Sequence, residues 1–131
     1  MFSQSLCNTY NFLSSYSKCE SVFMKRNTSL KDYSTLTRLP HLKDLRLMGN
    51  EITDISFLCG CKGLKTLMIW ESSVLDYSPL FELTTLKQLY LTEEALRVLD
   101  TAILAEKNKN LKLFRMDAWI NAAHPDAERV L

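Results

Sequence analysis

Histidine is nearly missing from this chain, with two in 131 residues, and glycine and proline appear three times each. Two imidazoles, His41 and His124, leave little for acid–base or metal chemistry, and His41 sits between Pro40 and Leu42, where solvation is the default for a turn entering a strand. Three glycines form no phosphate-cradling loop, and neither G-x-S-x-G nor H-E-x-x-H occurs. Charge of one sign is lacking too. Sixteen Lys and Arg against fifteen Asp and Glu give a net +1, without the basic excess that drives nucleic-acid binding. No apolar run approaches the roughly 20 residues that a membrane-spanning helix requires, so no membrane partner is expected. The opening MFSQSLCNTYNFLSS has neither a basic n-region nor an unbroken apolar core; it does not read as a secretory signal, and the expected location is cytoplasmic. No linker divides the chain, which predicts a single domain over 1–131.

What the chain does contain is self-similarity at an offset of twenty-two residues. LKDLRLMGNEITDISFLCGCKG from Leu42, LKTLMIWESSVLDYSPLFELTT from Leu64 and LKQLYLTEEALRVLD from Leu86 overlay, with Leu or Ile at places one, four and six and Ile, Val or Leu at place eleven. Apolar places four and six with a variable residue between them alternate as a strand does. Asn50 follows in the first segment, where an amide could satisfy backbone groups at the bend, and Ser72 and Glu94 take that place later. Asp32, Asp54 and Asp76 recur in a column whose expected role is capping a short helical turn rather than carboxylate chemistry. Leu58 and Leu80 then point back inward. No unit could bury its own apolar edge; stacking would complete the core.

These residues, from Leu42 to Leu91, resemble the leucine-rich repeat family, most closely its twenty-two-residue class found in internalin-like bacterial proteins. The resemblance implies an α/β fold, a short solenoid with a concave parallel sheet of about five strands and capping ends. It implies recognition of other molecules, mostly proteins, and carries no catalytic residues and no cofactor.

Traced backwards, the frame gives 20–41, with Phe23 in place but Glu20 and Lys25 at positions that should be apolar, a degenerate first repeat. Forwards it resumes at Leu111, Phe114 and Met116, three residues late. That insertion reads as an α-helix. Thr92 caps it, Glu93 and Glu94 suit its positive end, and Leu96, Leu99 and Ile103 share a face. Phe2, Leu6, Tyr10, Leu13 and Tyr16 would line one side of an N-terminal helix. The organisation expected is an N-terminal cap over 1–19, repeats over 20–116, and a C-terminal cap or tail over 117–131. There Trp119 and Ile120 shield the last strand, and the run past Pro125 forms a short helix or loose tail.

The four cysteines, Cys7, Cys19, Cys59 and Cys61, are read as unlinked and structural, because a leucine-rich core needs no staples and no export signal is seen. Cys59-Gly60-Cys61 has no second Cys or His pair to complete a zinc site, so no metal is expected.

The concave face carries the functional expectation. Between the buried strand residues the frame places Met24, Arg46, Met68, Tyr90 and Arg115, and just beyond them Arg26, Met48, Trp70, Thr92 and Asp117. Aromatic, Met and Arg enrichment marks protein interfaces, so Arg46, Met48, Met68, Trp70, Tyr90 and Arg115 are the expected partner-binding residues of a non-enzymatic, protein-binding scaffold that is monomeric alone. Adaptor, inhibitor and toxin immunity protein are all compatible. Lys43, Lys65, Lys87 and Lys112 read as solvated lysines. The alternatives are a self-assembling structural unit, motivated by Glu20 and Lys25, and a cysteine-dependent enzyme resting on Cys59 and Cys61. Five strands of this height give a face of a few hundred Å², well short of the ~800 Å² per partner of a stable complex, so a tight partner must also touch a flank or a cap.

Overall fold

The computed structural model describes residues 18–25, 33–49, 52–70, 74–116 and 128–130. The expected N-terminal helix, together with Arg26, Asp32, Asn50, Ser72, Asp117, Trp119, Ile120 and Pro125, lies outside them. The fold is α/β. Strands β1 (Ser21–Lys25), β2 (Asp44–Met48), β3 (Thr66–Trp70), β4 (Gln88–Thr92) and β5 (Lys112–Met116) form a parallel sheet in chain order, and β6 (Glu128–Arg129) pairs antiparallel with β5. The segment past Pro125, expected as a helix or loose tail, thus contributes a short strand. It covers the edge of β5, and Val130 N–H donates to Leu113 O at 2.6 Å. Single 3₁₀ helices, Tyr33–Arg38, Ser56–Gly60 and Ser78–Glu82, make the first three returns. The fourth return is made by α1 (Glu93–Val98) and α2 (Thr101–Lys107).

The strands are held in step by the same atoms each time: Lys65 N–H donates to Lys43 O and Lys87 N–H to Lys65 O, both at 2.8 Å. Register follows the leucines, with Leu45 beside Leu67 and Leu67 beside Leu89, all with no exposed surface. These, with Leu47, Leu58, Leu64, Ile69, Leu80 and Leu91, form the main core between the sheet and the returns. Asp54 and Asp76 act as expected. Each accepts from the backbone N–H two residues on, Ser56 and Ser78 respectively, at 2.9 Å, and the bond from Ser56 holds the Asp54 carboxyl below its ordinary value. Tyr33 and Phe57 stack between neighbouring returns, with ring centroids 5.7 Å apart.

At both ends the register differs from the sequence reading by one residue. Ser21 pairs with Asp44, twenty-three residues on, so Val22 and Met24 face the core beside Leu45 and Leu47, and Cys19, wholly buried, joins them. Glu20 and Lys25 therefore do not occupy apolar places, and the first strand is not degenerate. At the other end Gln88 pairs with Lys112, twenty-four residues on, which puts Phe114 beside Tyr90 and Arg115 beside Leu91. Because strand side chains alternate, a one-residue slip exchanges the two faces.

The helical insertion is two helices, not one. The first stops at Val98 with Leu99 as its C-cap, and Asp100 caps the second, accepting from Ala102 and Ile103 N–H at 3.1 and 3.2 Å. The new cap resets the helical phase, so Leu104 is buried and Ile103, expected inside, is 39% exposed. Thr92 caps α1 as expected, accepting from Ala95 N–H at 3.4 Å. Among the described residues the buried amide is Asn108, which donates to Leu83 O at 3.2 Å and Leu86 O at 2.7 Å. Removing it strands two carbonyls in the core, so Asn108→Ala should cost about 1–3 kcal/mol in a denaturant melt; a loss within error would show that water replaces the amide.

Cys19 is disulfide-bonded, its partner lying outside the described residues, while Cys59 and Cys61 are free. This overturns the expectation of four unlinked thiols. Reductant should accordingly lower the melting temperature, in line with the roughly 2–4 kcal/mol of a native crosslink; identical melts with and without dithiothreitol would refute a stabilising disulfide.

Candidate functional site

The side of the sheet turned away from the main core carries a second apolar cluster. Corrected for register, its columns are Phe23, Arg46, Met68, Tyr90 and Phe114, then Lys25, Met48, Trp70, Thr92 and Met116. Met68, Tyr90 and Met116 are at most 1% exposed, with half-buried Trp70 and Phe114 packed on them. Tyr90 stacks on Phe114 with centroids 4.7 Å apart and planes inclined by 12°. Burial raises the Tyr90 phenol above its ordinary value, and the nearby Arg46 charge opposes that rise.

The sequence reading sent Met48, Met68 and Tyr90 toward solvent; all three are buried, Met48 at 7%. Alternation settles which face a side chain takes, not whether that face is wet. Arg46 is on the expected face but is held by Asp44 through two hydrogen bonds of 3.0 and 3.1 Å. Arg115 stands opposite Leu91, a main-core residue, and so falls in the other column set from Arg46. Of the six expected residues, Trp70 combines the expected face with a place in the wall of an open cavity.

Trp70 ends β3 and forms a wall shared by two cavities. One, of about 300 Å³, is lined by Trp70, Val74, Tyr77, Thr92, Glu94, Ala95 and Val98. The other, of about 330 Å³, is lined by Trp70, Thr92, Glu93, Glu94, Arg97 and Met116. Both arise because Thr92 ends β4 and caps α1 in the same residue, which starts the helix at the strand's end and lays Glu94, Ala95 and Val98 beside the indole. Glu93 and Arg97 pair across one helical turn at 2.8 Å. Burial, and then the charge of Glu94, push the Tyr77 hydroxyl above its ordinary value.

Two large apolar side chains stand exposed in these segments, Val98, which lines the first cavity, at 73% and Leu75, next in the chain to the lining residue Val74, at 85%. Sequence reasoning passed over both, yet the frame held a signal. Leu75 occupies a place that is Thr53 and Arg97 in the flanking segments, and Val98 stands where the other two have Asp54 and Asp76. An apolar residue at a place that is otherwise polar marks a departure from the frame's own logic.

A third cavity, of about 280 Å³, is lined by Cys59, Cys61, Lys62, Glu82, Leu83, Thr84 and Thr85. Burial, with the neighbouring Cys59 charge, raises the Cys61 thiol from 9.0 to about 11, so it is protonated at neutral pH and a weak nucleophile. Among the described residues no group of three or more His, Cys, Asp or Glu side chains is placed to hold a metal ion. No known family matches this chain, and no curated protein matches it.

The two free thiols should separate by reactivity. At pH 7.5 iodoacetamide should modify exposed Cys59 well before buried Cys61, as read by fragment-ion mass spectrometry, and equal rates would contradict the burial. The unfolded thiol ionises near 9.0 and the folded one near 11, so this group's contribution to stability is level below pH 9 and falls as pH rises through that window.

Proposed function

We propose that the chain is a non-catalytic protein-binding scaffold, a short leucine-rich-repeat solenoid acting as an adaptor or inhibitor, the toxin immunity protein being a narrower form of the same reading. The fold supports it through five parallel strands in chain order, with 22-residue steps between the central ones. The observation that carries it is the cleft at Trp70 with exposed Val98 in its wall and exposed Leu75 next in the chain to its lining residue Val74. Exposed large apolar side chains gathered beside a Trp-walled recess are the composition of a binding hot spot. The centre of the sheet face is already buried, so the partner docks on the rim at the ends of β3 and β4 rather than across the strands.

The self-assembling alternative loses its motive, because Val22 and Met24, not Glu20 and Lys25, face the core. The β5 edge, moreover, is paired by β6. A thiol enzyme would need Cys61 as thiolate against burial, or Cys59 acting alone. Among the described residues no helix is long and apolar enough to cross a membrane.

The test compares wild type with a Leu75→Asp, Val98→Asp double variant in quantitative affinity capture followed by calorimetry with the purified partner. Both side chains are exposed, so the melt should change little while partner binding weakens by about 2 kcal/mol or more. A partner bound equally by both proteins would move the interface elsewhere, and no partner under any condition would sink the reading.

A further inference from the structure

The cavity between Trp70 and Tyr77 has a composition that the rim's apolar character does not explain. Its walls bring together an indole, a phenol and the carboxylate of Glu94, with Val74, Ala95 and Val98 making the remainder apolar. Among the described residues Glu94 makes no salt bridge, the one arginine of its helix being held by Glu93. Arg97 lines the neighbouring cavity and not this one. Thr92's hydroxyl oxygen is engaged as the cap of α1. The recess thus presents aromatic side chains and a negative charge with no protein cation among its lining residues.

Aromatic faces carry negative potential and attract cations held within about 6 Å of the ring centroid, Trp most strongly. A carboxylate alone on an open surface would be screened and would select weakly. Set beside two aromatic side chains in a recess of about 300 Å³, it adds charge selection to a surface that already favours weakly hydrated, apolar-skirted ions. Sodium is excluded by its tight hydration, and anions by Glu94.

We infer that this cleft binds an organic cation, a guanidinium or an alkylated ammonium group, with Trp70 and Tyr77 as its walls and Glu94 as its counter-charge. The inference deepens the protein-binding reading and rests on it for biological meaning: the cation would be a side chain that the partner inserts beside Leu75 and Val98. The site itself is testable without any partner.

The probe is the Trp70 indole N–H, observed by nitrogen-15 NMR on the full-length protein and assigned by comparison with a Trp119→Phe variant. Choline and N-acetyl-arginine amide are titrated separately against two controls, sodium chloride at matched ionic strength and 3,3-dimethyl-1-butanol, the neutral isostere of choline. The expected result is a saturable millimolar shift of Trp70 with at least one cation, about fivefold tighter than with the neutral isostere. Glu94→Gln and Tyr77→Leu should each weaken it several-fold, and Glu93→Gln should leave it unchanged. Preference for the arginine amide would identify a protein side chain as the source; preference for choline would identify a methylated ammonium. Equal binding of the neutral isostere, no saturable shift, or indifference to Glu94→Gln would overturn the assignment. Loss of partner capture in the Leu75 and Val98 double variant without any cation binding would defeat this inference alone. Cation binding with no partner would defeat only the protein-binding reading.

Discussion

Everything in this molecule depends on parallel strands stacking in chain order with their leucines side by side. A five-residue strand has too little area to be stable, and its hydrogen-bonding edges are satisfied only by its neighbours. The bonds from Lys65 N–H to Lys43 O and from Lys87 N–H to Lys65 O fix the phase of one strand against the next. Once that phase is fixed, the fate of a side chain belongs to its column. Leu45, Leu67, Leu89 and Leu113 are buried together because they pair in turn, and displacing one strand would displace its whole contribution to both faces.

That dependence explains which parts of the fold were legible. From Leu42 to Leu91 three copies agree, so register could be read by superposition. The capping roles of Asp54, Asp76 and Thr92 followed from the same overlay, with chemistry that any Asp or Thr at a turn supplies. At the ends only one copy exists to vote. Ser21–Lys25 reads SVFMK, in which Val22 with Met24, or Phe23 alone, could supply the buried side. Both faces of this sheet take apolar residues, so hydrophobicity did not choose between the two alternations. At β5 the sequence frame allowed three extra residues where the strand pairing has two, with the same effect, exchanging Phe114 and Arg115. Asn108 was unreadable for a different reason: its two acceptors, Leu83 O and Leu86 O, lie more than twenty residues away.

The candidate site was half legible. Trp70 stood out because a large aromatic at a strand end is costly to leave idle. Met68 and Tyr90 were misassigned because the usual rule equates the face away from the main core with solvent, and here that face has its own buried cluster with Met116. A stacked Tyr90 and Phe114 pair spends its aromatic surface on packing, which leaves it little to offer a partner. Val74, Tyr77, Glu94 and Val98 come from two separate segments. Their convergence on Trp70 is a fact of tertiary structure that no single twenty-two-residue window contains.

Why the cleft sits at this step of the sheet, and not at the one before it, comes down to the return after β4. After β2 and β3 the chain runs on to Asp54 or Asp76 and closes through one 3₁₀ helix. Those two positions bridge to each other and line up the returns. After β4 the equivalent Asp is replaced by Val98, so no bridge can be capped there in the same way. The chain turns at once into α1, and Asp100 begins α2 two residues later. Glu94, Ala95 and Val98 of α1 share a cavity with Val74 and Tyr77 of the preceding segment. Trp70, at the end of β3, forms another wall of that cavity. One departure from the repeating pattern, Val98 in place of an Asp, thus falls in the wall of the recess itself.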